Sequence, residues 1–187
     1  SHLDLSDTMQ HIIKRSGLPV KYTEGFNPHY GVSFPMALPF GVESLCEVMD
    51  FKLEKELSFE EIKTKLNNAM PKGLKAISVS SPILDIKDIA FAEYEINGAE
   101  NLSEFLKQDT IIIGKKSKQK HRKIIKEIDI RPNIELLSEN TIRLPLSVLG
   151  GLNPVAVLEA YNKFFNINGD YRILKTKLLT AEYKDFR

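Results

Sequence analysis

Tyr22-Thr23-Glu24-Gly25-Phe26-Asn27-Pro28-His29-Tyr30-Gly31-Val32-Ser33-Phe34-Pro35-Met36-Ala37-Leu38-Pro39-Phe40-Gly41-Val42-Glu43-Ser44 carries neither a 3.6-residue nor a sustained 2-residue apolar rhythm. Gly25, Gly31 and Gly41 are interspersed with Pro28, Pro35 and Pro39 along it. A plain connector of this length would be built from Ser, Asn, Lys and Glu. This one uses aromatic and apolar residues, which predicts a loop over 22–44 pinned into one shape. Long shaped loops more often carry function than plain connectors do.

The surrounding chain is ordinary by composition. It has 187 residues, 42% apolar and 27% charged, enough to bury a core in one large domain or two small ones. The net charge of +1 favours no partner class, so only the placement of charge is informative. Cys46 is the single cysteine, which excludes an intrachain disulfide and predicts a reducing, cytoplasmic setting. No apolar run approaches the roughly 20 residues of a membrane span, and Asp4 and Asp7 interrupt any signal-peptide core.

Before the loop, Ser1-His2-Leu3-Asp4 reads as a helix start, and Leu5, Met9, Ile12 and Ile13 recur at helical spacing until Gly17 and Pro19. A chain opening directly on a helix cap predicts that something precedes Ser1. After the loop, Leu45, Met49, Phe51 and Leu53 predict a half-buried strand over 45–54, with Cys46 packed inside it. Ser58 caps a helix with Phe59, Ile62, Leu66 and Ala69 inward, and a short strand is predicted over 74–79. Ser81 to Asp88 is a seam. Beyond it come a strand over 89–96, a short helix capped by Asn101, a strand over 110–113, a strand over 124–130 and a strand over 141–148. Pro145 marks the last of these as an edge or a bulge. Asn153-Pro154 starts a helix with Val155, Leu158, Tyr161 and Phe165 on one face, and a final strand covers 171–180. The expected fold is α+β, two ferredoxin-like subdomains of βαββαβ type over 1–84 and 85–187. The first lacks its leading strand.

Two regions could carry chemistry. In the loop, Glu24, Asn27 and His29 place a carboxylate, an amide and an imidazole within six residues, with Phe26 and Tyr30 available for stacking. The competing reading is a rigid Ω-loop with Phe26 as a core plug. Tyr22 and Glu43 flank this set, and His2 and Asp4 stand at the helix start. The second region, 115–126, holds Lys115, Lys116, Lys118, Lys120, Arg122, Lys123 and Lys126 around His121. Such a run either contacts phosphates, most naturally of RNA, or forms a solvated hairpin tip. Arg131 is a further candidate phosphate ligand, the alternative being a surface pair with Asp129 or Glu127. No interleaved-aromatic RNA signature, no catalytic triad, no glycine-rich phosphate loop, no zinc or calcium motif and no DNA-reading motif is present, so no metal or other cofactor is expected.

Ser1-His2-Leu3-Asp4-Leu5, Arg15 to Pro19, Tyr22 to His29, Ser33-Phe34, Ala37-Leu38-Pro39, Gly41-Val42-Glu43-Ser44, Glu47 and Asp50 resemble the radical-SAM-linked bacterial proteins, the domain of unknown function 2344. Glu127 to Pro132, and Asn153-Pro154 through to Thr180, agree more loosely. The resemblance implies a link to RNA or ribosome biology and to a radical-SAM enzyme. It also implies a basic-aromatic strand ahead of the Ser-His-Leu-Asp motif. The expected function is a non-catalytic binding module that presents RNA, or an RNA-associated substrate, to a radical-SAM partner. Two alternatives stand beside it. One is an RNA-processing enzyme using His2 or His29 as general acid or base. The other is a protein–protein adaptor docking through Ala37, Leu38 and Phe40.

Overall fold

A computed structural model describes residues 2–36, 38–119, 122–146 and 152–186, with the backbone alone at 2, 3, 115–119 and 122–124. It is a mixed α+β chain of two compact units. The first comprises 1–37 and 48–87, and the second comprises 38–47 and 88–186.

In the first unit, α1 (His2–Ser16) and α2 (Phe59–Ala69) pack their stripes together. Met9, Ile12 and Ile13 from α1 meet Ile62, Leu66 and Ala69 from α2, with Leu18 and Val20 closing the core. Local signals fix both helices. Ser58 accepts a hydrogen bond from the Glu61 amide at 3.2 Å, and Arg15 donates to the Ala69 carbonyl at the negative end of α2. Phe59, expected inward, is 49% exposed, because the buried arc begins only at Ile62.

β1 (Val32–Ser33) runs antiparallel to β3 (Asp50–Phe51), with Val32 opposite Phe51. Met49, Phe51 and Leu53 pack on the core as their alternation predicts. The expected strand over 45–54 is nevertheless cut short, because residues up to Glu47 belong to the second unit. No strand forms over 74–79. Asn67 instead accepts from the Ala76 amide at 2.8 Å and donates to the Ala76 carbonyl at 3.1 Å. A side-chain amide has taken the place of a neighbouring strand.

The second unit is built on a five-stranded sheet. β4 (Ile89–Asn97) lies at its middle, flanked antiparallel by β8 (Thr141–Pro145) and β9 (Arg172–Thr180). β7 (Glu135–Leu136) pairs with β8, and β2 (Val42–Ser44) runs parallel to β9 on the far side. β8 is therefore internal, contrary to expectation. Its Pro145 end extends past the β7 pairing, so the missing N–H costs no ladder bond there. α3 (Leu102–Phe105) and α4 (Pro154–Phe165) meet through Phe105 and Tyr161, ring centroids 5.5 Å apart. Asn153 caps α4 by accepting from Val155, and Val157 joins Leu158 and Tyr161 in the buried face where Val155 was expected.

The strands expected over 110–113 and 124–130 extend into the basic run. β5 (Ile112–Gln119) and β6 (Arg122–Asp129) form an antiparallel two-stranded ribbon through it. Val148, Gly150 and Gly151, expected in a strand end and a turn, lie outside the described residues.

Candidate functional site: the Tyr22–Tyr30 loop and its cleft

Within the first unit the loop begins as a short hairpin. Tyr22 pairs with Tyr30, the Thr23 amide donates to the His29 carbonyl at 2.8 Å, and the Gly31 amide donates to the Lys21 carbonyl at 2.8 Å. Gly25 turns the tip at φ +140°, a backbone region that L side chains rarely adopt. Gln10 of α1 fixes the hairpin from below. It donates to the Tyr30 carbonyl at 2.9 Å and accepts from the Tyr30 amide at 3.0 Å.

With its base held this way, the loop turns its functional groups outward. Glu24, Asn27 and His29 are exposed, and Phe26 is 106% exposed, so Phe26 is no core plug. Beside the hairpin lies a shallow open cleft of about 260 Å³, lined by Gln10, His11, Lys14, Tyr22, Pro28, His29 and Tyr30. The two tyrosine rings sit 4.5 Å apart at 34°. A hydrogen bond with the Tyr22 hydroxyl raises the Tyr30 pKa, and burial and the neighbouring phenol add to it. His29 Nδ1 lies 3.2 Å from the Asn27 carbonyl and 3.2 Å from Thr23 Oγ1. His11 Nδ1 lies 2.7 Å from the Asp7 carbonyl. A carbonyl only accepts, so the neutral His11 ring carries its proton on Nδ1, whereas His29 Nδ1 either donates to the Asn27 carbonyl or accepts from the Thr23 hydroxyl; in both rings Nδ1 is engaged locally and Nε2 is left for a ligand.

The structure thus gathers Tyr22, His29 and Tyr30, and adds Gln10, His11 and Lys14, which the loop's sequence does not announce. Asp4 is exposed on the first turn of α1, and the His2 side chain lies outside the described residues. Glu43 belongs to the second unit, on β2, where Arg172 grips both carboxylate oxygens at 2.9 Å and holds its pKa below the usual carboxylate range.

Among the basic residues, the ribbon's register sets Lys115 opposite Lys126 and Lys118 opposite Lys123. Lys116 and Arg122 lie on the same two strands, and Lys126 is exposed. Lys120 lies outside the described residues, as does His121. Arg131 is drawn inward: its guanidinium donates to the carbonyls of Leu106 at 2.7 Å and Ile134 at 3.1 Å. Asp129 accepts from the backbone amides of Ile111 and Arg131, so the expected surface pair with Arg131 is replaced by backbone bonds.

A family model described as an uncharacterised protein conserved in bacteria, DUF2344, matches residues 1–159. The chain belongs to that family. The match spans the whole hairpin and cleft of this DUF2344 chain and the basic ribbon as well. No curated protein and no solved structure matches it. Among the described residues, no cluster of three His, Cys, Asp or Glu could hold a metal ion, and no helix is long and apolar enough to cross a membrane.

One further cluster escaped the sequence reading. Lys175 on β9 is fully buried and donates to Glu47 at 2.5 Å, and Ser44 donates to the same carboxylate at 2.6 Å. Tyr94 stands opposite Lys175 on β4, beside a register shift in the ladder. Its hydroxyl is buried with no partner among the described residues. Burial first, then the charges of Glu47 and Cys46, push its pKa well up. The signal was present: Ile173 and Lys175 are two apart on one strand, so they share a face.

Proposed function

We propose that this chain is an RNA-binding module that presents RNA, or an RNA-associated substrate, to a radical-SAM partner enzyme in the cytoplasm. The observation that carries the reading is the braced hairpin. Its polar and aromatic groups face outward beside a cleft holding one cation, two imidazoles and two phenol rings. Single-stranded RNA is bound by this combination, with rings stacking on bases and cations meeting phosphates.

The basic ribbon adds a second argument. Lysines set directly opposite one another destabilise an antiparallel pair. A polyanion relieves that repulsion, so Lys115, Lys116, Lys118, Arg122, Lys123 and Lys126 suit a phosphate backbone. The radical-SAM partner rests on the motif resemblance alone. The second unit's order β9-β4-β8-β7, with α3 after β4 and α4 after β8, supports the ferredoxin-like reading of that unit.

The test is a filter-binding titration of single-stranded RNA over a range of salt. The reading predicts log K falling with log salt at about 0.7 per phosphate contacted. A slope of zero, or no binding to any RNA, removes it.

A further inference from the structure

The cleft holds more than binding needs. Stacking and phosphate contact call for Tyr22, Tyr30 and Lys14. They do not call for two histidines in one depression, each with Nδ1 engaged by its own helix turn or hairpin and Nε2 left to act. Anchoring one ring nitrogen orients the other, as general acid–base catalysis requires. The rings come from different elements, His11 from α1 and His29 from the hairpin. The Gln10 clamp on Tyr30 ties those two elements together beside them.

We infer that the cleft cleaves single-stranded RNA by internal transesterification, with His11 and His29 as the acid–base pair. The inference rests on the RNA-binding reading and adds a chemical step to it. One neutral imidazole takes the proton of a ribose 2′-hydroxyl at Nε2 while that oxygen forms a bond to the adjacent phosphorus. The bond from phosphorus to the 5′-oxygen breaks, and the other imidazole, protonated, gives its proton to that departing oxygen. The products are a 2′,3′-cyclic phosphate and a 5′-hydroxyl. The two imidazoles finish with their protonation states exchanged, and no metal, oxidant or other co-reactant is consumed. Lys14, in the last turn of α1, is the cation that faces the reacting phosphate from the cleft wall. Tyr22 and Tyr30 are the other titratable groups lining the cleft, and they hold the base.

The experiment incubates the full chain with end-labelled oligouridylate in EDTA, beside the matching oligodeoxynucleotide, and resolves the ends formed. Binding of the same RNA is measured in parallel. The expected result is cyclic-phosphate ends from RNA only and a bell-shaped pH–rate profile. His11→Ala and His29→Ala should each slow cleavage by about 100-fold or more. Each variant should remove one limb of the profile while still binding RNA, with its melting curve unchanged. Both histidines are exposed, so neither variant endangers the fold. Lys14→Gln should slow cleavage without altering the shape of the profile. Failure of the wild-type chain to cleave RNA that it binds overturns this inference and leaves the binding reading standing. Cleavage that persists equally in both histidine variants also overturns it. Failure to bind RNA removes both.

Discussion

The side-chain amide of Gln10 closes both backbone hydrogen bonds of Tyr30, donating to its carbonyl and accepting from its amide across 20 residues of chain. This two-way clamp is what a neighbouring strand would otherwise supply. It ties the loop's base to α1 while the tip stays outside. Gln10→Ala strands two half-buried backbone groups, at about 1–3 kcal/mol. Urea denaturation should register that loss, and RNA affinity should fall with it. Gln10→Glu keeps the acceptor, loses the donor, and should fall between the two.

Phe26 buries nothing, being 106% exposed. Phe26→Ala should therefore leave the melting curve unmoved. It should weaken RNA binding by about 1–3 kcal/mol, the range for one lost base–aromatic stack. Equal affinity in the variant would take the hairpin tip out of the interface.

Replacing Lys115, Lys116, Lys118 and Lys123 by Gln should flatten the salt dependence of binding by about 0.7 for each phosphate contact removed. The same variant should be no less stable than the parent chain, because two directly opposed like-charge positions disappear. Both readings come from one preparation, by titration and by melting.

Lys175 and Glu47 form an ion pair with its ammonium fully buried in the second unit. Glu47→Ala leaves a fully buried ammonium without its counter-ion. The cost is about 3 kcal/mol, the low end for a stranded buried charge, because Glu47 is itself 31% exposed. Lys175→Met removes the charge along with its need for a partner and should be far milder. A Glu47→Ala variant as stable as the wild type would contradict this account of the cluster.

Tyr94 sets an alkaline limit. Its folded pKa lies above the unfolded value of about 10, so the folded state holds the proton more tightly. That contribution is complete below pH of about 10 and is lost as pH rises beyond it. Tyr94→Phe should flatten the fall in stability above that pH. It should also raise neutral stability by about 1 kcal/mol, since the buried hydroxyl has no partner among the described residues. A destabilised Tyr94→Phe would contradict this account of the buried hydroxyl.

What was legible in the chain was local. The stripes Met9–Ile12–Ile13 and Ile62–Leu66–Ala69, the Ser58 cap and the Asn153-Pro154 start depend on neighbours within one or two turns, and each appears in the structure. What was not legible depends on distant partners. Nothing near Val42 announces that it will pair with Ile173, yet that pairing carries 38–47 out of the first unit and shortens the expected strand over 45–54. Lysine spacing reads as a solvated hairpin tip, so the strands expected over 110–113 and 124–130 were drawn shorter than the β5–β6 ribbon, which carries them into the charged run. At the site, the loop announced His29 and Tyr30 through its own composition. His11 could not be singled out, because on α1 it is one polar residue among several and shares a cleft with His29 only through the fold that Gln10 clamps.

A short single-stranded RNA titrated into isotopically labelled protein, followed residue by residue by NMR, addresses the hairpin most directly. Binding through the braced loop predicts shifts at Tyr22, Phe26, Asn27, His29, Tyr30 and His11, together with residues of 115–126, and quiet amides in the α2 core. Silence at Tyr22–Tyr30 while other surfaces respond, or no response anywhere at low salt, would contradict it.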